Sequence, residues 1–337
     1  MNKKCYALLI VGIGLLELVI VEVWFYYVNA AAMAAVHYDI RINGKYASSL
    51  YVPDPVEGVA EPPDSSITHS LWVDGKKIFV CTYLTDSYSR RIVPIKSDPK
   101  RNKFALFFVC SYVWGWGVDA EQTLPFYFAK YAKDYVPYNY ACPSYGPQNM
   151  LALLQSRDIR KEITQKDGIV IFIFMFDHIN RLTASLNALA RDYNLPYYVL
   201  NGRSELINKG IFQQQPAVKY FYSWFCRLQT VRRLFGTPPY ITDHTNNYEI
   251  QLFSKVIMES RDLCRKKLNC DKFYVIFVNG TETKIRKNLS NNGIENHFEI
   301  EEGKDLFFPI PDGHPKAKYN DQLAQDIAKD IGVYTGN

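Results

Sequence analysis

Apolar runs separated by stretches of helical periodicity set the framework of this chain. Three of the runs are short and rich in aromatic and branched residues, which is typical of the buried strands of a parallel sheet. They are Phe104–Val109, Gly168–Phe176 and Phe273–Val278. Residues 248–267 and 319–331 repeat apolar positions at helical spacing. Because strand, helix and strand alternate, we predict an α/β fold, a three-layer α/β/α sandwich with a mainly parallel central sheet.

A longer apolar run opens the chain. Residues 5–28 are almost all apolar and are numerous enough to span a bilayer. Lys3 and Lys4 precede them, which favours a cytoplasmic amino terminus with the rest of the chain across the membrane. Glu17 and Glu22 interrupt the run, and each costs about 2 kcal/mol or more near the centre of a spanning helix. The run therefore predicts an N-terminal transmembrane or signal helix that carries two unfavourable acids.

The residues after this run leave its processing open. Small residues at 29–35 are typical of a signal-peptide cleavage site, although the apolar run is longer than a usual signal peptide. Residues 1–35 are therefore predicted to be a signal anchor or a signal peptide. An anchored protein would face the periplasm or the extracellular side, and a cleaved one would be secreted. A third interpretation is a buried N-terminal helix of a cytosolic protein.

Residues 36–101 show a different pattern, with short alternating stretches divided by turns. The alternation predicts three strands, at residues 70–73, 77–84 and 91–95. Asp74-Gly75 predicts the turn of a hairpin. We interpret this part as a small β-rich appendage in front of the main domain, residues 102–337. No catalytic constellation is recognisable within the appendage.

Composition and charge narrow the classes of protein. The chain of 337 residues is 48% hydrophobic and 22% charged, which is typical of a globular protein with one sizeable domain and an appendage. Its formal charge of +5 is small and no dense basic tract occurs, so we expect no nucleic-acid partner. The seven cysteines include no CxxC pair of the metal-binding type. We therefore look for catalytic residues among side chains other than cysteine.

A serine closely follows the first buried strand. Ser111 lies between this strand and a predicted helix, so we expect it at the carboxyl edge of the sheet, where open α/β folds bind ligands. Residues 108–118, FVCSYVWGWGV, resemble the first motif of the SGNH (GDSL-type) hydrolases, F-G-D-S-F-T-x-G-x-G-V. The serine and the later glycines match, whereas Val109 and Cys110 replace the family's glycine and aspartate. The resemblance implies that Ser111 is the nucleophile and that its backbone N–H contributes to an oxyanion hole.

A second segment resembles the next motif of the same family, V-x-N-x-G-x-P-G-Y-G-x-x-Q. It covers residues 134–150, and the matching residues are Asn139, Pro143, Tyr145 and Gly146. The family glycine whose N–H helps to form the oxyanion hole aligns with Ser144. Because the main-chain N–H is the group that acts, a serine can supply it where its backbone conformation is tolerable.

The second buried strand ends where the family carries its third motif, G-x-N-D. This chain has Asp177-His178-Ile179-Asn180 in that place. The resemblance implies an oxyanion donor here, and we predict that His178 supplies it. Asn180 is the alternative donor, and Asp177 is predicted to orient His178.

The segment before the last predicted helix carries the remaining family residues. Residues 307–315, FFPIPDGHP, resemble the last motif, in which an aspartate and a histidine stand a few residues apart, often as D-x-H-P. A general-base histidine must be held in one tautomer by a carboxylate, and a short turn between prolines can present both to a serine. The resemblance implies that His314 is the general base and that Asp312 orients it.

The resemblance covers roughly residues 101–335 and implies an exported serine esterase that cleaves or transfers an acyl group through this triad. It implies an acyl-ester substrate, whether lipid, glycan or small ester, and neither cofactor nor metal. A carbohydrate O-acyltransferase with the same site is one alternative, because only the acceptor differs. A non-catalytic SGNH-like binding or scaffold protein is the other, and the replacements at Val109, Cys110 and Ser144 favour it.

Overall fold

The computed structural model describes residues 3–34, 38–46, 50–185, 194–216, 225, 228–230, 245–278, 283–298, 304–309 and 312–335. From residue 103 onward, strands and helices alternate as the apolar pattern predicts, except at residues 196–211, where two consecutive strands form a separate antiparallel pair. The helices include α1 (Lys3–Ala34), α2 (Ser111–Trp114), α3 (Leu124–Tyr131), α4 (Pro147–Ser156), α5 (Asp177–Leu182), α6 (Asn247–Leu268), α7 (Thr283–Asn291) and α8 (Ala317–Asp330). The strands include β1 (Tyr38–Ile42), β2 (Lys45–Tyr46), β3 (Val52–Asp54), β4 (Gly58–Ala60), β5 (Ser66–Val73), β6 (Lys76–Leu84), β7 (Lys103–Phe108), β8 (Tyr135–Asn139), β9 (Asp167–Phe174), β10 (Pro196–Leu200), β11 (Leu206–Ile211), β12 (Phe273–Phe277) and β13 (Glu295–Phe298).

Five parallel strands form the central sheet, in the order β13-β12-β9-β7-β8. Strands β7, β9 and β12 coincide with the three predicted apolar runs, and nearly all of their side chains are buried. The predicted α/β fold with a parallel sheet is therefore confirmed. Strand β8 lies at one edge and alternates between buried and half-buried residues, so a search for continuous apolar runs does not find it.

The helices fall into two groups by their packing. Helix α3 packs against α8, and α4 packs against α6. The chain crosses the sheet in one direction from β7 to β8 and in the other from β8 through β9 and β12 to β13. Because crossovers between parallel strands are right-handed, these directions put α3 on one face and α4, α6 and α7 on the other. The direction reverses beside β7, and open α/β sheets bind ligands at the carboxyl ends of their strands at such a point.

The β-rich segment forms an antiparallel sheet in the order β2-β1-β5-β6. Asp74 and Gly75, with φ of 48° and 74°, form the predicted turn between β5 and β6. Inward-facing residues of this sheet, such as Phe79 and Tyr83, belong to the same hydrophobic core as the parallel sheet. The domain boundary near residue 101 stays a prediction, but apolar packing is continuous across it.

The prediction of a third strand in this segment, at residues 91–95, is wrong. Arg91 forms isolated bridges with Thr85 and Asn139, and the residues after it have no regular structure. The backbone of residues 93–95 does not pair with a strand, because Pro94 has no N–H and the N–H of Ile95 donates to the nearby carbonyl of Val93. The side chain of Arg91 is 2% exposed and donates to the carbonyl groups of the loop after Ser111.

Helix α1 extends through the predicted N-terminal run. Among the residues whose side chains the structure describes, no helix combines the length and the apolar character needed to span a membrane. One of the two acids, Glu22, accepts hydrogen bonds from the backbone N–H groups of Gln229 and Thr230 at 2.6 Å each. The anchoring role and the cleavage of this helix stay predictions.

Candidate active site

A sharp turn at the end of β7 builds the position of the predicted nucleophile. Strand β7 ends at Phe108 and α2 begins at Ser111, so the serine stands at the carboxyl edge of the sheet. Val109 has φ of 144°, which glycine adopts freely but a branched residue adopts only under strain. Its side chain is 2% exposed, and this burial offsets part of the strain.

Three of the predicted site residues, Ser111, His314 and Asp312, are within hydrogen-bonding distance of one another in that order. The Oγ of Ser111 lies 2.8 Å from Nε2 of His314, and Nδ1 of His314 lies 3.1 Å from Oδ1 of Asp312. The backbone N–H of His314 donates to the same carboxylate oxygen at 3.0 Å. Because a carboxylate only accepts, Nδ1 carries the ring proton and Nε2 is left to accept the serine O–H. This is the arrangement of a nucleophile, a base and an orienting acid.

The base has the most exposed side chain of the three residues. The side chain of His314 is 22% exposed and that of Asp312 only 5%, while Ser111 is 8% exposed. Gly313, with φ of 67°, lets the chain turn tightly between the acid and the base. The N–H of Phe308 donates to the carbonyl of His314 at 2.8 Å and fixes the backbone of this turn. Within the described residues, no group of three or more His, Cys, Asp or Glu side chains is placed to bind a metal ion.

The loop that carries the second motif packs against the segment around Ser111. Asn139, at the end of β8, donates from Nδ2 to the carbonyl of Val113 at 3.2 Å. The N–H of Cys142 donates to the carbonyl of Val109, also at 3.2 Å. These bonds connect the two segments that the family resemblance pairs.

Two backbone N–H groups are candidates for an oxyanion hole. Ser111 is the first residue of α2, so its N–H has no carbonyl partner within that helix. Ser144 is exposed and has φ of 71°, a left-handed conformation that glycine adopts without cost. The serine at this position therefore keeps the backbone conformation that a glycine would favour.

We expect Ser144→Gly to be more stable than Ser144→Ala by about 0.5–1 kcal/mol in the free energy of unfolding. The left-handed conformation costs an L-residue about 1–2 kcal/mol, and the larger entropy that glycine loses on folding takes back about 0.5–1 kcal/mol. Denaturant midpoints of the two variants measure the difference. Equal midpoints, or a lower one for the glycine variant, would contradict the strain assigned to Ser144.

The hairpin of β3 and β4, in the N-terminal segment, forms a clamp on the second motif: it binds Tyr145 and Asn149 through hydrogen bonds. The hydroxyl of Tyr145 donates to Oε2 of Glu57 at 2.7 Å, and Nδ2 of Asn149 donates to the backbone carbonyl of Glu57 at 2.9 Å. Burial raises the pKa of the Glu57 carboxyl. Glu61 is also buried, and burial raises its pKa to about 8, so its carboxyl group is mainly protonated at neutral pH. Sequence reasoning missed this clamp, because its acids resemble those of an ordinary surface turn.

His178 lies in the hydrophobic core. Its ring packs edge-on against Phe172 and Phe174 and has no exposed surface. Nδ1 accepts the backbone N–H of Met175 at 3.0 Å, so the ring proton is on Nε2, which has no hydrogen-bond partner among the described residues. Burial lowers the pKa of His178 well below its usual value, so the ring is neutral.

The proposed partners of His178 have other contacts. Asp177 forms an ion pair with Arg181 at 2.7 Å, and Nδ1 of His178 is already occupied by a backbone N–H. The orientation of His178 by Asp177 stays a prediction. The role of His178 as an oxyanion donor stays a prediction, as does the alternative role of Asn180.

The N-terminal sheet segment reaches the loop that follows Ser111. The guanidinium group of Arg91 donates to the carbonyls of Trp114 (2.8 Å), Gly115 and Val118 (2.6 Å). Its central carbon lies 4.6 Å from the ring centroid of Tyr83 and 4.8 Å from that of Trp114. Burial lowers the pKa of this arginine, although an arginine keeps its charge in proteins. The interpretation of this segment as a small appendage stays a prediction, and its alternating pattern does not mark a buried arginine that contacts the loop after Ser111.

Solved structures similar to this chain include two carbohydrate esterases and a lipolytic protein. An acetyl xylan esterase from the rumen bacterium Butyrivibrio proteoclasticus has a TM-score of 0.41 and 10% identity, over 88% of this chain and 84% of that one. A family two carbohydrate esterase from Clostridium thermocellum, solved in complex with cellohexaose, has a TM-score of 0.38 and 9% identity, over 88% and 86%. A member of the lipolytic G-D-S-L family from Veillonella parvula has a TM-score of 0.36 and 9% identity, over 68% and 97%.

No family model and no curated protein matches the sequence. The similarities among solved structures are too distant to carry an activity, so the assignment depends on the site itself. In the order of its motifs and in the geometry of Ser111, His314 and Asp312, the chain resembles the SGNH (GDSL-type) hydrolases.

Proposed function

We propose that this protein is a serine esterase with an SGNH-like, three-layer α/β/α architecture, in which Ser111, His314 and Asp312 form one catalytic unit. The observation that carries the proposal is the 2.8 Å separation between Ser111 Oγ and His314 Nε2, with Asp312 on the other side of the ring. The serine and the histidine are 203 positions apart in the sequence. Their contact therefore depends on the fold of the whole sheet and does not arise from a local turn.

In the first half of the reaction, the Oγ of Ser111 attacks the carbonyl carbon of an ester while Nε2 of His314 takes the serine proton. The carboxylate of Asp312 stabilises the imidazolium that forms. The oxyanion of the tetrahedral intermediate accepts hydrogen bonds from the N–H groups of Ser111 and Ser144 and, in our prediction, from His178. When the intermediate collapses, the C–O bond to the alcohol breaks, and His314 gives its proton to the leaving oxygen.

In the second half, water replaces the alcohol. His314 takes a proton from the water as its oxygen attacks the acyl-serine carbonyl, and a second tetrahedral intermediate forms. Collapse of this intermediate breaks the bond to Ser111 and returns the proton to the serine oxygen. The products are a carboxylic acid and the free enzyme, with no net change in the protein.

A non-catalytic binding protein is the alternative from a different class. The replacements at Val109, Cys110 and Ser144 favour it, because they remove family residues from the first two motifs. The ordered contacts from Ser111 to His314 and Asp312 oppose it, since binding alone does not require a serine, a base and a buried acid in this order. Within the described residues, no feature favours transfer to a second acceptor over hydrolysis.

The full-length purified protein should hydrolyse aryl esters of short acyl chains, with an acetylated glycan and a lipid ester as further substrates. A sugar acceptor added to the same assay would reveal transfer, because the acyl group would then appear on the sugar. If the folded protein hydrolyses none of these esters and forms no acyl-enzyme, the binding protein becomes the better interpretation.

We further propose that α1 anchors the chain or directs its export, with residues beyond about 35 outside the cytoplasm. Lys3 and Lys4 before the apolar run support this orientation. Apolar side chains along α1 also support it, such as those of Leu16 (61% exposed) and Trp24 (59% exposed). A carboxyl-terminal phosphatase that is active only after export should be active when fused to the chain, and inactive when residues 1–35 are deleted. An inactive fusion that is well expressed would contradict the proposed export.

A further inference from the structure

The second oxygen of the Asp312 carboxylate has its own hydrogen-bond donor. The indole Nε1–H of Trp116 donates to Oδ2 at 3.0 Å, while Oδ1 faces His314. The indole also stacks on the imidazole of His314, with 5.5 Å between ring centroids and 27° between ring planes. Trp116 thus contacts both the acid and the base, although it belongs to the loop after Ser111.

The N-terminal sheet holds this indole in place. The ring of His69, on β5, packs edge-on against Trp116 with 4.6 Å between centroids. Nδ1 of His69 lies 3.0 Å from the hydroxyl of Tyr83 on β6, and this hydroxyl accepts the N–H of Gly117 at 3.0 Å. The same tyrosine hydroxyl thus contacts both the ring of His69 and the backbone of Gly117. The contacts join the antiparallel sheet to both sides of the loop that carries Trp116.

We propose that Trp116 is a positioning residue for the catalytic acid. Its indole N–H donates to Oδ2 of Asp312 and thereby reduces the negative charge that the carboxylate presents to His314. The inference rests on the proposed esterase function and extends the working site to the N-terminal sheet. Asp312 has two further bonds from His314 itself, through Nδ1 and the backbone N–H. When the indole donor is lost, Asp312 should therefore keep its position, and the negative charge that it presents to His314 should increase.

Few other titratable groups face the base in the described part of the chain. Asp312 lies on its own turn, Ser111 and Tyr112 lie on α2, and His69 lies behind Trp116. Burial lowers the pKa of His69 to about 4, so this ring is neutral over the working range of an esterase. A change in the charge that His314 meets can then be attributed to Asp312.

Trp116→Phe in the full-length protein tests the inference, because phenylalanine keeps an aromatic ring and removes the N–H. Without this donor the carboxylate charge acts undiminished on the imidazolium, so the acid limb of kcat/KM against pH should move to higher pH. At a pH on the acid limb, turnover should therefore fall by up to about tenfold, the effect of one hydrogen bond to a charged group, with little change in KM. The proton resonance between Nδ1 of His314 and Asp312 should move downfield, and this readout needs no turnover.

Two further variants make the test specific. Trp114→Phe is the matched control, since Trp114 packs against Trp116 and Tyr83 and makes no contact with Asp312 among the hydrogen bonds described. It should leave the acid limb and the proton resonance where they are. Trp116→Gln should restore both, because its amide places an N–H two bonds from Cγ, as indole does, and does not titrate.

The outcomes separate this inference from the function on which it rests. If Trp116→Phe folds and both the pH profile and the resonance stay at their wild-type values, the positioning role is wrong, although the esterase remains. If Trp116→Phe does not fold, failure of a folded Trp116→Gln to keep the wild-type profile overturns the inference equally. If Ser111→Ala retains turnover, the proposed function itself fails, whatever Trp116 does.

Discussion

Ser111→Ala and His314→Ala should each lower ester turnover by about 10⁴-fold or more, and the double variant should be little worse than either single one. The reason is that the two residues act in the same step. Without the serine there is no nucleophile, and without the histidine the serine keeps its proton. Residues that act as a unit show this non-additive loss, whereas independent contributions would multiply. Steady-state kinetics on an aryl ester measures all three variants.

A matched serine outside the site controls for the loss of a buried hydroxyl. Ser260 on α6 is fully buried and donates to the carbonyl of Val256 at 2.8 Å. Ser260→Ala removes the same atoms as Ser111→Ala and should leave kcat per folded molecule unchanged. Multiplicative effects of the serine and histidine variants would show that the two residues do not form one catalytic unit.

Arg91→Leu should destabilise the fold by roughly 3–5 kcal/mol and remove most of the turnover that remains in the folded fraction. The substitution leaves the carbonyls of Trp114, Gly115 and Val118 without their donor in a buried place. Each unsatisfied buried acceptor costs about 1–3 kcal/mol, partly relieved if water enters. The loop that carries Trp116 would then lose its main support.

Arg90→Leu is the control for this prediction. Arg90 is buried beside Arg91, but it pairs with Asp86 and donates to the hydroxyl of Tyr140, away from the loop. Its loss should also lower the unfolding midpoint, while kcat per folded molecule stays close to that of the wild type. Thermal or denaturant unfolding together with active-site titration separates the two effects. If Arg91→Leu keeps full turnover per folded molecule, the N-terminal segment does not support the site.

The apolar pattern of the sequence was sufficient for the parallel sheet, and the resemblance of its motifs to the SGNH hydrolases was sufficient for the contact between Ser111 and His314. Buried parallel strands are apolar throughout, so β7, β9 and β12 stand out as runs, and the ends of such strands meet at one edge of a sheet. Asp312 could be placed because only two positions separate it from His314. The sheet therefore follows from short apolar segments and a general rule of topology, whereas the site contacts follow from the family resemblance.

The remainder of the site depends on contacts that a local pattern does not encode. Arg91 and His69 occupy positions that an exposed strand would also fill, and only the packing of two sheets turns them inward. In the sequence, Trp116 is one aromatic residue among many. What distinguishes it is the hydrogen bond from its indole N–H to Asp312, which lies 196 positions away. For His178, the place at a strand end suggested a site residue and did not indicate that its ring is fully buried.

Labelling with a fluorophosphonate tests the central claim most directly, because the reagent phosphonylates a serine only when a base activates it. The full-length protein is treated at neutral pH, digested, and its modified peptide is identified by mass spectrometry. We predict one adduct on Ser111, formed by the wild type and by Ser260→Ala, and absent from His314→Ala. A folded wild-type protein that stays unlabelled, or that is labelled at another serine, would contradict the proposed catalytic unit.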